Sequence, residues 1–217
     1  ALAILPILQT GGMQIFKTQS FDIEKIMPSA QQLAISILGI YVLLNIIGTI
    51  ILHLCGMTLL EASIHSMAAL STGGFSTSDQ SIAHFNSPLI EYILIVLMLI
   101  GGLPFALYLK AISKGSRSAI FSDTQVKGFL NIVMILSVIW IIHLCWTQNY
   151  NLFTAIRHVL FSVTSLITTT GFATADYTTW GPFSVALAFF ITFLGACTGS
   201  TRRAIKTFSQ QILRALQ

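Results

Sequence analysis

The run Ser71-Thr72-Gly73-Gly74-Phe75-Ser76-Thr77-Ser78-Asp79 returns 97 positions later as Thr168-Thr169-Thr170-Gly171-Phe172-Ala173-Thr174-Ala175-Asp176. Both copies read hydroxyl, hydroxyl, small, Gly, Phe, any residue, Thr, any residue, Asp. No strong base or nucleophile sits in either, so the chemistry such a run offers is that of its backbone. Glycine adopts positive φ readily and leaves its peptide oxygens uncovered. Ser and Thr hydroxyls bond loop backbone groups that no helix satisfies. A cluster of neutral carbonyl dipoles can replace the water around a large, weakly hydrated cation, which a buried carboxylate would hold too tightly. The pattern therefore points to desolvation of a cation rather than to bond making.

Composition says where such loops would lie. Of 217 residues, 54% are hydrophobic and 8% charged, with a mean hydropathy of +0.82, against roughly 25% charged in soluble domains. This predicts an all-α membrane protein. Irregular backbone at membrane depth survives only when buried in protein or lining a watery cavity. The formal net charge of +4 is spread over short runs between apolar spans, which argues for topology and against nucleic acid. No nucleophile with a base, P-loop or dinucleotide fingerprint occurs, so an enzyme and a bound cofactor are not expected. Cys55, Cys145 and Cys197 lack ligand spacing and read as packing residues, as do His53, His65, His84, His143 and His158.

The elements that must position the two runs also repeat. Residues 1–28 read as the end of a preceding inner helix, Ala1 to Phe16, followed by a polar cytoplasmic connector. Residues 29–112 form a first unit: a full span from Gln31 to Cys55, a short helix from Leu59 to Leu70 that is too short to cross, the Gly74 run, and a span from Leu89 to Lys110. Residues 113–127 are a basic cytoplasmic linker. Residues 128–217 repeat the plan, with a span from Gly128 to Trp146, a short helix from Leu152 to Ile167, the Gly171 run, and a final span opened by Pro182. The His-Leu-Cys elements at His53 and His143 are 90 positions apart, against 97 for the glycine runs, a stagger assigned to a longer Trp146–Asn151 loop. An internal repeat outweighs any single motif within it.

Lys17, Lys25, Lys110, Lys114, Arg117, Lys127, Arg202, Arg203, Lys206 and Arg214 fall on one side of this topology, which the positive-inside rule makes cytoplasmic. Arg157 alone falls opposite, as a surface charge on the second short helix. Glu61, Asp79, Glu91 and Asp176 lie at the outer mouth. There Asp79 and Asp176 would either concentrate cations in a vestibule or cap the loops.

Two parallel copies of span, pore helix, glycine loop and span, bearing STGGFSTSD and TTTGFATAD, resemble the Trk/Ktr/HKT potassium-transport superfamily, most closely its TrkH-type membrane subunits. The match covers the second and third of four channel-like units. The resemblance implies potassium uptake across a bacterial inner membrane, channel-like or as symport, by a multi-pass protein. It implies a potassium-binding filter at Ser71, Thr72, Gly73, Gly74, Thr168, Thr169, Thr170 and Gly171, with potassium the only metal. It also implies a gate where the last helix is broken, at Gly195, Ala196, Cys197, Thr198, Gly199, Ser200 and Thr201, although Arg202-Arg203 stand where the family usually carries small residues. Expected partners are the lipid bilayer, the remaining repeats or a second copy, and a cytosolic nucleotide-binding regulatory subunit. The alternative is a non-conducting fragment, or an intramembrane structural subunit, that needs missing repeats supplied in trans.

Overall fold

The computed structural model describes residues 30–114, 123–148 and 150–195, and all regular structure among them is helical. In order these are α1 (Ala30–Leu54), α2 (Leu59–Leu70), α3 (Pro88–Gly102), α4 (Phe105–Lys114), α5 (Thr124–Thr147), α6 (Leu152–Ile167) and α7 (Pro182–Gly195), with 3₁₀ turns at Ser81–Phe85 and Tyr177–Trp180. The 25 residues of α1 extend about 37 Å, enough for a hydrocarbon core of about 30 Å. The most apolar stretches of α1 and α5 have mean hydropathies of 2.4 and 2.3 but are only 17% and 28% buried. Their open faces carry Leu38, Leu43 and Ile50, and Met134, Ile135 and Ile142. A soluble core helix would hide such faces; these fit lipid.

Because lipid is as apolar as leucine, helix association in a bilayer depends on close packing and polar contacts. On α1, Gly48 lies directly against Ser66 of α2, and the Ser66 hydroxyl donates to the Asn45 carbonyl at 3.1 Å. In the second half, the Trp140 indole N–H donates to Ser184 Oγ at 3.0 Å, joining α5 to α7. The Trp140 and Trp180 rings meet edge to face 5.6 Å apart. Phe161 of α6 and Phe172 lie in the core formed by α1, α2 and α3, so the halves share packing.

Two boundaries differ from the sequence expectation. The span placed at Leu89 to Lys110 is two helices, α3 and α4, parted at Leu103 and Pro104. Pro104 has no amide hydrogen and forces its predecessor out of helical geometry; Leu103 is extended, with ψ 149°. The Tyr108 hydroxyl donates to the Ile100 carbonyl at 2.7 Å, serving an acceptor at the break. The stagger between repeats lies in the helices, not in a longer loop. α5 runs past His143 to Thr147 while α1 stops at Leu54, and α6 has 16 residues against 12 in α2. The connectors, 55–58 and 148–151, have equal length. Residues 1–29, Arg117 and residues 196–217 lie outside the described residues, and with them the preceding helix, most of the basic linker and the gate positions from Ala196 to Thr201. Of the gate residues, Gly195 is described, at the end of α7.

Gly101-Gly102 serves close packing. A Cβ on Gly101 would sit 2.6 Å from the Leu70 carbonyl oxygen and 2.9 Å from that of Ala69, and one on Gly102 would sit 3.0 Å from the Thr168 methyl. Thus α3 touches the end of both short helices. Gly101→Ala should destabilise the protein by about 1–3 kcal/mol through overpacking against backbone. Gly39→Ala, which meets nothing within 4 Å, should be neutral or favourable by up to about 1 kcal/mol. Thermal unfolding in detergent would compare them, and equal melting points would mean that the α3 contact is not tight.

Candidate functional site

Each glycine run begins where a short helix must end. The N-terminus of α2 carries a capping box: Thr58 Oγ1 accepts from the Glu61 amide at 3.3 Å, and the Thr58 amide donates to the Glu61 carboxylate at 3.0 Å. At the other end, the Gly73 amide donates to the Ala68 carbonyl at 2.8 Å and the Thr72 amide to the Ala69 carbonyl at 3.3 Å. In α6 the Thr170 amide reaches the Ser165 carbonyl at 2.9 Å and the Thr169 amide the Leu166 carbonyl at 3.1 Å. These are the paired 6→1 and 5→2 bonds of a Schellman motif, formed twice at a spacing of 97 residues. The left-handed position is ordinarily glycine, yet here it is Thr72 at φ 52° and Thr169 at φ 56°. For an L-residue that conformation costs roughly 1–2 kcal/mol. Glycine is kept for the next sharp turn, Gly74 at φ 69° and Gly171 at φ 83°.

Beyond the caps both runs alternate. In the second, Thr168, Thr170, Phe172 and Thr174 are buried while Thr169, Gly171 and Ala173 are exposed. The buried edge is bonded into the protein: Thr168 Oγ1 donates to the Thr164 carbonyl at 2.7 Å, and the Thr168 and Thr170 hydroxyls lie 2.8 Å apart. Ser165 Oγ donates to the Phe172 carbonyl at 2.7 Å. In the first run, Ser71, Gly73, Phe75 and Thr77 are exposed and Thr72, Gly74 and Ser76 are half-buried. Here the Thr72 hydroxyl donates to the Ser71 carbonyl at 2.7 Å, so that oxygen has a partner already.

The two runs meet. A Cβ on Gly74 would collide with the Thr170 carbonyl oxygen, whereas one on Gly171 would meet nothing within 4 Å. Farther out, the Ile82 and Ala83 amides donate to the Ala173 carbonyl at 3.1 and 3.3 Å, and the Ala173 amide donates to Ser81 Oγ at 3.2 Å. The first unit's 3₁₀ turn therefore holds both backbone groups of Ala173. Phe172 is 3% exposed in this seam, while its counterpart Phe75 is 76% exposed.

Asp79 and Asp176 are both exposed, and they differ. Asp176 Oδ1 accepts from the Thr178 hydroxyl at 2.6 Å and the Thr178 amide at 2.9 Å, capping the second 3₁₀ turn. Asp79 makes no hydrogen bond among the described residues, and Ser78 Oγ takes the Gln80 amide at 3.3 Å instead. Glu91 is not at the open mouth. Only 4% exposed, it lies on α3 with Oε2 3.5 Å from Nε of Arg157 on α6. Arg157 is likewise no free surface charge. Sequence reasoning missed this pair because both residues read as solvated singly, and the only available signal was that the repeat places Leu60 opposite Arg157 and, counted from Pro88 and Pro182, Val185 opposite Glu91.

A family model described as cation transport protein, TrkH, matches residues 1–216. The chain belongs to the TrkH family. It is 38% identical to the Trk system potassium uptake protein TrkI of Halomonas elongata, over 99% of this chain and 44% of that protein. It is 34% identical to the Trk system potassium uptake protein TrkH of Escherichia coli K12, over 95% of this chain and 44% of that protein. The crystal structure of the potassium transporter TrkH from Vibrio parahaemolyticus matches with a TM-score of 0.79 at 30% identity, covering 99% of this chain and 45% of that one. The chain thus spans less than half the length of the TrkH-family relatives it matches. It is a membrane protein of that family, all-helical among the described residues.

Breaking a buried ion pair from one side strands a charge and costs about 3–5 kcal/mol. Glu91→Gln and Arg157→Gln should each approach that loss, while the double variant recovers most of it; additive losses in denaturation would show that the two side chains are uncoupled. At the outer turn, the Thr178 hydroxyl and amide hold the Asp176 carboxyl below its ordinary value. The cap is then fully present above the usual carboxylate range and is lost as pH falls through the lowered value. The protection of the Thr178 amide relative to its intrinsic exchange rate should fall on acidification, and Asp176→Ala should abolish that dependence.

Proposed function

We propose that this chain supplies two of the strands of a potassium-selective filter, and with them part of a potassium-uptake pathway in a bacterial inner membrane. Its basic loops would face the cytoplasm. The observation that carries the reading is the pair of matched glycine loops, each springing from a Schellman-capped short helix and touching the other at Gly74 and Thr170. In this reading α2 and α6 are pore helices, and Ser71, Thr72, Gly73, Gly74, Thr168, Thr169, Thr170 and Gly171 offer carbonyl oxygens to potassium, which is substrate and not a resident metal. The names of the matched relatives, potassium uptake proteins, support the choice of cation.

The same geometry favours completion by further strands. Gly74 is pressed against the following loop while Gly171 faces open space; Phe172 is covered by the preceding unit while Phe75 is bare. One seam is closed and its two equivalents are open, so two strands make half a ring. We assign the missing half to further repeats, because the relatives are more than twice as long as this chain; a second copy of the chain is the competing arrangement. The gate, Gly195 to Thr201, and a nucleotide-binding regulatory subunit on the cytoplasmic face belong to the same reading.

Uptake by an expression host lacking its own potassium transporters tests it. Gly74→Ala, forced both into positive φ and onto the Thr170 oxygen, should lower potassium uptake at least about tenfold, the equivalent of ~1.4 kcal/mol at the barrier, with Gly39→Ala as the control. A folded Gly74→Ala protein with unaltered uptake would overturn the filter assignment. Uptake only when the remaining repeats are co-expressed would identify the chain as the half that needs them.

A further inference from the structure

His65 lies on α2 and is fully buried, the setting of an ordinary packing residue. Its surroundings give it a more specific task. Nδ1 lies 2.8 Å from the Glu61 carbonyl oxygen, and Nε2 lies 3.1 Å from Ser76 Oγ. A carbonyl can only accept, so Nδ1 carries the proton. In the neutral ring Nε2 is then bare and accepts from the Ser76 hydroxyl. Ser76 Oγ in turn accepts from the Ser78 amide at 3.3 Å. Ser76 and His65 each accept once and donate once, so the bonds run in one direction from the Ser78 amide to the Glu61 carbonyl of α2.

The imidazole also has an aromatic setting. The Phe85 ring, from the first 3₁₀ turn, meets it edge to face at 5.3 Å, and Phe172, which follows Gly171 in the other loop, lies tilted against it at 5.8 Å. One side chain thus bonds the first glycine loop two residues beyond Gly74 and seats the second one residue beyond Gly171. The repeat has no second copy of this device, since the equivalent positions are Ser162 and Ala173. The outer end of the second loop is held instead by Ser81, Ile82 and Ala83 on its backbone. The first loop has no such backbone clasp from a preceding unit among the described residues.

We propose that His65 is a positioning residue for cation selection, its neutral Nδ1–H tautomer fixing the outer end of the first filter strand through Ser76 while its ring seats Phe172 of the second. The proposal rests on the filter reading above. Discrimination between potassium and sodium by carbonyls depends on how far those oxygens can move, and a strand tethered behind its glycine moves less.

The test is potassium over sodium flux into vesicles containing the protein, paired with nitrogen NMR of the imidazole. His65→Phe keeps the bulk and the ring contacts but has no acceptor, and Ser76→Ala removes the donor. Each should lower the flux ratio about three- to tenfold, the scale of one hydrogen bond. His65→Gln, whose amide oxygen can reach the Nε2 position, should stay within about twofold of the parent. NMR should show Nδ1 protonated and Nε2 bare, with Ser76→Ala shifting chiefly Nε2. Folded His65→Phe and Ser76→Ala proteins with the parental ratio would overturn the proposal, as would a proton on Nε2. If His65→Phe does not fold, Ser76→Ala decides alone. Absence of flux from the parent even with the remaining repeats supplied in the same vesicles would overturn the transport reading instead, and the NMR result would then judge the tether.

Discussion

A helix that ends inside a bilayer has no water to take its last carbonyls, and each polar group left bare in hydrocarbon costs several kcal/mol. In this structure α2 and α6 satisfy their last carbonyls with their own following backbone. Both close on themselves with a Schellman motif, turning the chain at Thr72 and Thr169 through a conformation that threonine tolerates poorly. Beyond the turn, residues alternate between more and less covered positions, and only in the second run is the covered set fully buried. Each glycine loop thereby begins as the termination of a helix.

The second constraint is proximity. The two loops meet only because their parent helices pack closely, and between helices in lipid the hydrophobic effect supplies little of that. Missing side chains supply it here. Gly48 admits Ser66, Gly101 admits the carbonyls of Ala69 and Leu70, Gly102 admits Thr168, and Gly74 admits the Thr170 oxygen. Polar contacts then lock the seam, through Ser81 to Ala83 on Ala173 and through Glu91 and Arg157. A buried charge pair contributes little net stability against apolar residues of similar volume, but it penalises any arrangement that leaves one partner alone. Its position between α3 and α6, where the other seams would bring Leu60 and Val185, makes this junction chemically unlike its equivalents.

The repeats are therefore alike in backbone and unlike in side chains. The caps coincide residue for residue, because the constraint on a buried helix end is the same in both. What holds each loop from behind differs: an imidazole for the first, the neighbouring turn and Ser165 for the second. Such divergence is expected within a single chain, where each unit faces a different neighbour and no symmetry obliges the supporting residues to match.

The sequence by itself determined the helical membrane class, the repeat, the short helices Leu59–Leu70 and Leu152–Ile167 to the residue, and the loops that follow them, since apolar run length and glycine placement act locally. It also carried Pro104, read through as the interior of a span although its missing amide breaks the helix. Only the tertiary structure decided which loop edge is open, that Gly74 rather than Gly171 is pressed on its neighbour, that Glu91 faces Arg157 instead of water, and that His65 reaches both loops. Apart from the His65–Ser76 bond, 11 positions apart, the contacts behind those facts join residues 66 to 107 positions apart. No local pattern encodes that distance, because it is set by how closely whole helices can approach.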